Sequence, residues 1–293
     1  MNRTLRIVRA DIMGYCMGVR RAVEAAEQAL LDNPLRPVYT YGPLIHNPSA
    51  LERLAACGVV ILKTGESMPE NFEGRSVIIR AHGIPPHERA ELARRGAFVV
   101  DATCPRVLSS QKRAGSYHQK GYTVILAGDR DHGEITGIAG YAPGCLILEN
   151  SSDAENLPSY PDRAVLISQT TIKQSEYDAI AAVLAGRIRD LVVLSTICPA
   201  TLERQKALED LAGKVEGILV IGGHNSANTR RLFDTALRLA GRAWLIETPA
   251  EIPDEVLSLS CVGITAGAST PDEVIDAVEQ ALQKVYYSSQ NTR

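Results

Sequence analysis

Three cysteines stand at the same point of three similar stretches: Ile12-Met13-Gly14-Tyr15-Cys16-Met17-Gly18, Val99-Val100-Asp101-Ala102-Thr103-Cys104-Pro105 and Val193-Leu194-Ser195-Thr196-Ile197-Cys198-Pro199. Cys104 and Cys198 are each followed by Pro, and Gln-Lys recurs downstream of both, at Gln111-Lys112 and Gln205-Lys206. The cysteines are separated by 88 and 94 residues. A strand-like run ending in Cys and leading into a helix, repeated at domain-sized intervals, suggests three α/β units about one centre. Thiolates drawn from distant sequence are metal or cluster ligands more readily than disulfide partners in a chain expected to be cytoplasmic. Zinc would favour a fourth protein ligand and a Cys-x2-Cys pair, and the chain has no such pair. A [4Fe–4S] cluster normally takes four Cys, so three would leave one iron open to a substrate. The bland alternative is packing, since free Cys behaves as a small hydrophobe. That reading fits Cys57, Cys145 and Cys261, which lie on apolar helix-like or strand-like ground.

Polar residues crowd the strand-to-helix junctions. These read His46-Asn47-Pro48, Ala81-His82-Gly83, His132-Gly133-Glu134, Gln169-Thr170-Thr171, Gly222 to Thr229, and Ala266-Gly267-Ala268-Ser269-Thr270-Pro271. In parallel α/β sheets ligands bind at the carboxyl ends of the strands. Helix N-termini there present free N–H groups and partial positive charge, which suit a phosphate. His46, His82 and His132 can donate hydrogen bonds to phosphate oxygens, or simply cap helices. His87 and His118 fall on helical stretches. Glu134, two residues after His132, is either a first-turn carboxylate facing the helix dipole or a general acid. Ser226, Asn228 and Ser269 are good N-cap types, and capping uses the same N–H-rich place as phosphate binding. Gly222-Gly223 is no Walker loop, lacking the Gly-Lys-Ser/Thr that holds nucleotide phosphates.

The elements that must position these residues are short apolar runs alternating with amphipathic stretches, the pattern of a parallel α/β protein. Strands are predicted at 38–41, 59–62, 77–80, 98–101, 122–126, 146–148, 164–168, 191–194, 218–221, 244–246 and 261–265. Helices are predicted at 19–32, 86–95, 107–120, 174–185, 202–214, 229–240 and 272–285. The segment 150–162, rich in Ser, Asp and Pro, reads as a weak linker. The chain has 293 residues, room for two or three domains of roughly 100–150 residues each. Net charge is −3 with the signs mixed, which gives nucleic-acid binding no support. No apolar run is long enough to span a membrane and the N-terminus carries no signal core, so a cytoplasmic protein without membrane contact is expected.

The full set of motifs resembles the 4-hydroxy-3-methylbut-2-enyl diphosphate reductase (IspH or LytB) family. It comprises Gly14-Tyr15-Cys16-Met17-Gly18-Val19, His46-Asn47, Ala81-His82-Gly83, Asp101-Ala102-Thr103-Cys104-Pro105, His132-Gly133-Glu134, Gln169-Thr170-Thr171, Ile197-Cys198-Pro199-Ala200-Thr201, Asn225-Ser226-Ala227-Asn228 and Gly267-Ala268-Ser269. The nine motifs occur in the family's order and cover nearly the whole chain. The resemblance implies three α/β lobes in pseudo-threefold arrangement around an iron–sulfur cluster: 16–103, 104–197, and 198–293 with 1–15. It implies a [4Fe–4S] cluster on Cys16, Cys104 and Cys198, with one iron open. His46, His82, His132, Ser226, Asn228 and Ser269 would grip an allylic diphosphate. Glu134 would supply protons, and Thr170 would place the substrate hydroxyl. The implied reaction is reductive dehydroxylation to isopentenyl and dimethylallyl diphosphate, the last step of the methylerythritol phosphate route, with electrons from ferredoxin or flavodoxin. The chain departs from the family pattern at Gly133, where Pro is usual, and at Ala227, where Ser is common. A paralogous reductase of another phosphorylated substrate, an iron–sulfur oxygen sensor and a zinc-binding structural protein are the competing readings.

Overall fold

A computed structural model describes residues 5–33, 37–45, 47–62 and 68–290. In chain order the elements are β1 (Arg6–Arg9), α1 (Met17–Asp32), β2 (Val38–Tyr41), α2 (Pro48–Ala56), β3 (Val59–Leu62), β4 (Ser76–Ile79), α3 (Pro86–Arg94), β5 (Phe98–Asp101) and α4 (Pro105–Gln119). There follow β6 (Thr123–Ala127), α5 (Gly133–Ala139), β7 (Leu146–Leu148), α6 (Ser151–Glu155), β8 (Arg163–Ser168), α7 (Gln174–Ala185), β9 (Asp190–Leu194) and α8 (Pro199–Ala212). The chain ends with β10 (Gly217–Ile221), α9 (Ala227–Ala240), β11 (Ala243–Ile246), β12 (Cys261–Ala266) and α10 (Asp272–Gln290).

The strands form three four-stranded sheets, ordered β3-β2-β4-β5, β7-β6-β8-β9 and β1-β12-β10-β11, and every pairing is parallel. Their topology is one design used three times. In each sheet the first strand is flanked by the second and the third, and the fourth joins the third. The third sheet takes its fourth strand, β1, from the start of the chain. The α/β class and the three similar units are therefore as the sequence implied. Each sheet changes direction between its first and third strands, the place where open α/β sheets bind ligands.

Burial explains why these strands read as apolar runs. The inner strands β2, β4, β10 and β12 are buried at every residue, whereas the edges β1, β5 and β9 are partly exposed, as expected when helices cover both faces. Successive residues serve opposite faces: Ile125, Ala127 and Leu166 pack with Tyr177, Ile180 and Leu184, while Val124, Leu126, Val165 and Ile167 pack with Ala114, Ile135 and Ile138. Each fully buried Ile or Leu contributes about 1.5–3 kcal/mol of transfer free energy.

The described residues divide into two compact units. Met1–Val19, Ile45–Ala56 and Leu202–Arg293 make the first, with the β1-β12-β10-β11 sheet; Arg20–Leu44 and Cys57–Thr201 make the second, with the other two sheets. No helix among the described residues is long and apolar enough to cross a membrane.

Candidate active site

The three cysteines occupy equivalent places. Each follows the fourth strand of a sheet and immediately precedes a helix: Cys16 before α1, Cys104 before α4 and Cys198 before α8. Each amide donates to a carbonyl in the loop after the third strand of its sheet: Cys16 N to Ala268 O, Cys104 N to Ala81 O and Cys198 N to Thr170 O, all at 3.0 Å. The backbone thereby fixes each thiol relative to the polar loop beside it. Cys104 is the N-cap of α4, with Pro105 at N1, and its side chain makes no capping hydrogen bond. All six cysteines are free of disulfides. Helix N-termini favour negative charge, which suits thiolate ligands. Cys16 belongs to the first unit, Cys104 and Cys198 to the second. Among the described residues no three His, Cys, Asp or Glu side chains are grouped as a metal site.

In the second unit the acid loop is closely built. His132 caps α5, its Nδ1 accepting from the Glu134 amide at 3.2 Å. That assigns the neutral-ring proton to Nε2, leaving it a donor. Glu134 is buried, and both its oxygens are taken by one residue. The Thr170 amide donates to Oε1 and the Thr170 hydroxyl donates to Oε2, each at 2.7 Å. The Thr170 carbonyl accepts from the Cys198 amide and, at 3.1 Å, from the Thr201 hydroxyl. The rings of His82 and His132 meet edge to face, with centroids 4.8 Å apart. The unit thus brings together His82, His132, Glu134, Thr170 and Cys198.

Gln169, fully buried, ties the loops of this sheet together. Its Oε1 accepts from Asp129 N at 2.8 Å, and its Nε2 donates to Thr171 Oγ1 at 2.8 Å and Asp129 Oδ2 at 3.2 Å. Gly128 must be glycine for this: its φ is 157°, and a Cβ there would stand 2.5 Å from Gln169 Oε1.

In the first unit Ser226 caps α9, accepting from Thr229 N at 3.3 Å. Asn228 lies in the first turn of that helix, and Ser269 in the loop after β12. Among the described residues, Asn228 Nδ2 and Ser269 Oγ are buried without a hydrogen-bond partner. Buried polar atoms are nearly always paired, so these two atoms keep hydrogen-bonding capacity to spare. His46 lies outside the described residues. Its neighbour Asn47 caps α2 through Oδ1, accepting from Ala50 N at 3.0 Å.

A family model described as LytB protein matches residues 7–283. The chain belongs to the LytB family. It is 52% identical over 285 residues to a Treponema denticola protein named 4-hydroxy-3-methylbut-2-enyl diphosphate reductase, covering 94% of this chain and 98% of that one. The Aquifex aeolicus protein of the same name is 37% identical, with 95% and 96% covered. A solved structure of (E)-4-hydroxy-3-methyl-but-2-enyl diphosphate reductase, described as the terminal enzyme of the non-mevalonate pathway, matches with TM-score 0.70 and 36% identity over 96% of this chain and 100% of that one. The E-1-hydroxy-2-methyl-but-2-enyl-4-diphosphate reductase of Plasmodium falciparum matches with TM-score 0.85 and 27% identity, covering 97% and 87%.

Within this LytB chain, sequence reasoning missed Gln169 as the tie between loops. A signal was present. Gly42, Gly128 and Gly222 each follow the first strand of a sheet and each stand four residues before His46, His132 and Ser226. Aligning the repeats on those glycines and on the cysteines places Arg80, Gln169 and Gly267 together, directly after the third strands.

Proposed function

We infer that the chain is a 4-hydroxy-3-methylbut-2-enyl diphosphate reductase. It removes the C4 hydroxyl as water, consuming two electrons and two protons, and yields isopentenyl and dimethylallyl diphosphate at the last step of the methylerythritol phosphate route. The observation that carries this reading is the chain of contacts from Glu134 through Thr170 to the Cys198 amide. It ties a buried carboxyl to a candidate cluster ligand.

The residues present fit a [4Fe–4S] cluster. Cys16, Cys104 and Cys198 carry no disulfide and have backbone-anchored positions at helix N-termini, and they would be its three ligands. Cys57, Cys145 and Cys261 stand in none of these junctions. When bound, the cluster supplies electrons and, at its open iron, Lewis-acid character. The three lobes, 16–103, 104–197 and 198–293 with 1–15, would each contribute one ligand, in keeping with one sheet for each of those stretches.

The side chains do the rest. Glu134 holds the proton that meets the departing hydroxyl oxygen. Thr170 keeps the carboxyl in place and offers its hydroxyl to the substrate C4–OH. His82 and His132, with His46, Ser226, Asn228 and Ser269, bind the diphosphate, whose binding energy orients the distant reacting carbon. Ferredoxin or flavodoxin would deliver the electrons in the cytoplasm.

The test is anaerobic. The purified protein is mixed with reduced viologen dye, and oxidation is followed on adding 4-hydroxy-3-methylbut-2-enyl diphosphate. Rapid oxidation with both isoprenyl diphosphates as products is expected. An intact iron–sulfur protein that oxidises no dye would defeat the assignment in favour of a paralogue or sensor.

A further inference from the structure

Helix α5, which carries Glu134, has seven residues and docks through glycines on the loop after β4. A Cβ on Gly137 would lie 3.1 Å from the His82 carbonyl, and one on Gly140 would lie 2.6 Å from Pro85. At the first residue, Gly133, a Cβ would collide with Nη2 of Arg80. The same guanidinium lies against Gly42, whose φ is 76° and whose Cβ would meet Cζ and Nη1 at 3.0 Å. One side chain therefore fills the slot between the glycine after β2 and the first residue of the acid helix.

Arg80 is an unusual choice for that slot. Burial lowers its pKa, against the opposing pull of the Glu88 carboxylate. Burial, with help from Glu88, pushes the neighbouring Tyr41 phenol up to about 12, so it stays neutral. Arg80 Nε is buried without a hydrogen-bond partner among the described residues. Desolvating a cation in this way is costly, and no step of the proposed chemistry uses it. Its place in the fold supplies a reason. Arg80 follows the third strand of its sheet as Gln169 follows β8, and both side chains cross the glycine after the first strand. Gln169 ties two loops of its own sheet, whereas Arg80 reaches on to a helix of the next. A helix of two turns cannot hold itself in place by its own hydrogen bonds, so its contacts decide where its first turn sits.

We propose that Arg80 is a positioning residue for the acid loop, setting through Gly133 where α5 presents His132 and Glu134. This rests on the reductase reading of the site.

The experiment compares Arg80→Met, Gly133→Ala and the double variant with the wild type. It measures kcat and KM in the viologen assay, iron content, and hydrogen exchange at the 134–137 amides. Arg80→Met is expected to lower kcat about 10- to 100-fold, as small misplacements of reacting groups do, with KM and iron nearly unchanged and faster exchange at 134–137. Gly133→Ala drives Nη2 from the slot and should lose kcat similarly, so it carries the test where Arg80→Met fails to fold. The double variant should be no worse than either single one, because both break one contact. Wild-type kcat in both single variants, or fully additive losses, would overturn the proposal. Should the wild type itself fail to turn over, the reductase reading falls instead, and unchanged exchange at 134–137 in Arg80→Met would still overturn the role of Arg80.

Discussion

Thr170 grips Glu134 at both carboxyl oxygens, amide on Oε1 and hydroxyl on Oε2, each at 2.7 Å. The two residues lie 36 positions apart in sequence and meet because β6 and β8 are neighbours, with Ala127 paired to Ser168. The carboxyl is thus buried but not stranded, and its orientation is fixed before any substrate arrives.

Glu134→Gln tests the acid. The amide oxygen can keep the bond from Thr170 N, and the Thr170 hydroxyl can turn to accept from the new NH2 group, so the fold and iron content should survive. Turnover should fall roughly 100- to 10,000-fold, the usual size of a general-acid contribution. Steady-state kcat beside an iron assay decides it, and near-wild-type kcat would remove Glu134 from the chemistry.

Thr170→Val separates orientation from proton supply. The substitution keeps the backbone contacts to Glu134, Cys198 and Thr201 and deletes only the hydroxyl. A buried carboxyl oxygen then loses its donor, costing about 2 kcal/mol of stability, visible as a lower denaturation midpoint. The kcat should drop as well. Combined with Glu134→Gln, the second loss should be smaller than the first, because the two groups act as a unit.

Most of the architecture was legible, and the gaps have physical causes. Inner strands such as β10 and β12 announce themselves because both faces are buried. Strand β1 was missed: its apolar pair Ile7-Val8 is flanked by Arg6 and Arg9, charges that an edge strand tolerates. Helix α5 was missed because Gly133, Gly137 and Gly140 make poor helix formers, and only the packing against His82 and Pro85 explains them. Helix α6 lies in the segment read as a linker, where Asn150 Oδ1 caps it by accepting from Asp153 N. At the site, residue type and position pointed to Glu134, and the family resemblance to Thr170. Their pairing depends on strand order, which no local pattern contains.

Cysteine variants should divide by place in the fold. Cys16→Ser, Cys104→Ser and Cys198→Ser are each expected to lose most of the iron bound after anaerobic reconstitution. Cys145→Ser and Cys261→Ser should retain it. Burial pushes the Cys145 thiol up, which disfavours the thiolate a metal needs. Cys261 Sγ is engaged by Arg6 Nε at 3.2 Å at the start of β12. Iron per chain, measured by colorimetry, is the readout, and full iron in Cys104→Ser would sink the ligand assignment.

Ser269→Ala should separate stability from affinity. The Ser269 hydroxyl is buried and lacks a partner among the described residues, so its removal breaks no hydrogen bond among them. It also relieves a desolvated group, and stability should hold or rise by up to about 1–3 kcal/mol. The same hydroxyl is expected to donate to a diphosphate oxygen. Its loss should raise the Kd for inorganic diphosphate roughly 10- to 100-fold, the equivalent of one hydrogen bond to a charged group. Calorimetric titration and a denaturant midpoint on the same preparation supply both numbers. A less stable variant with unchanged diphosphate affinity would make Ser269 a structural residue and move diphosphate binding away from the loop after β12.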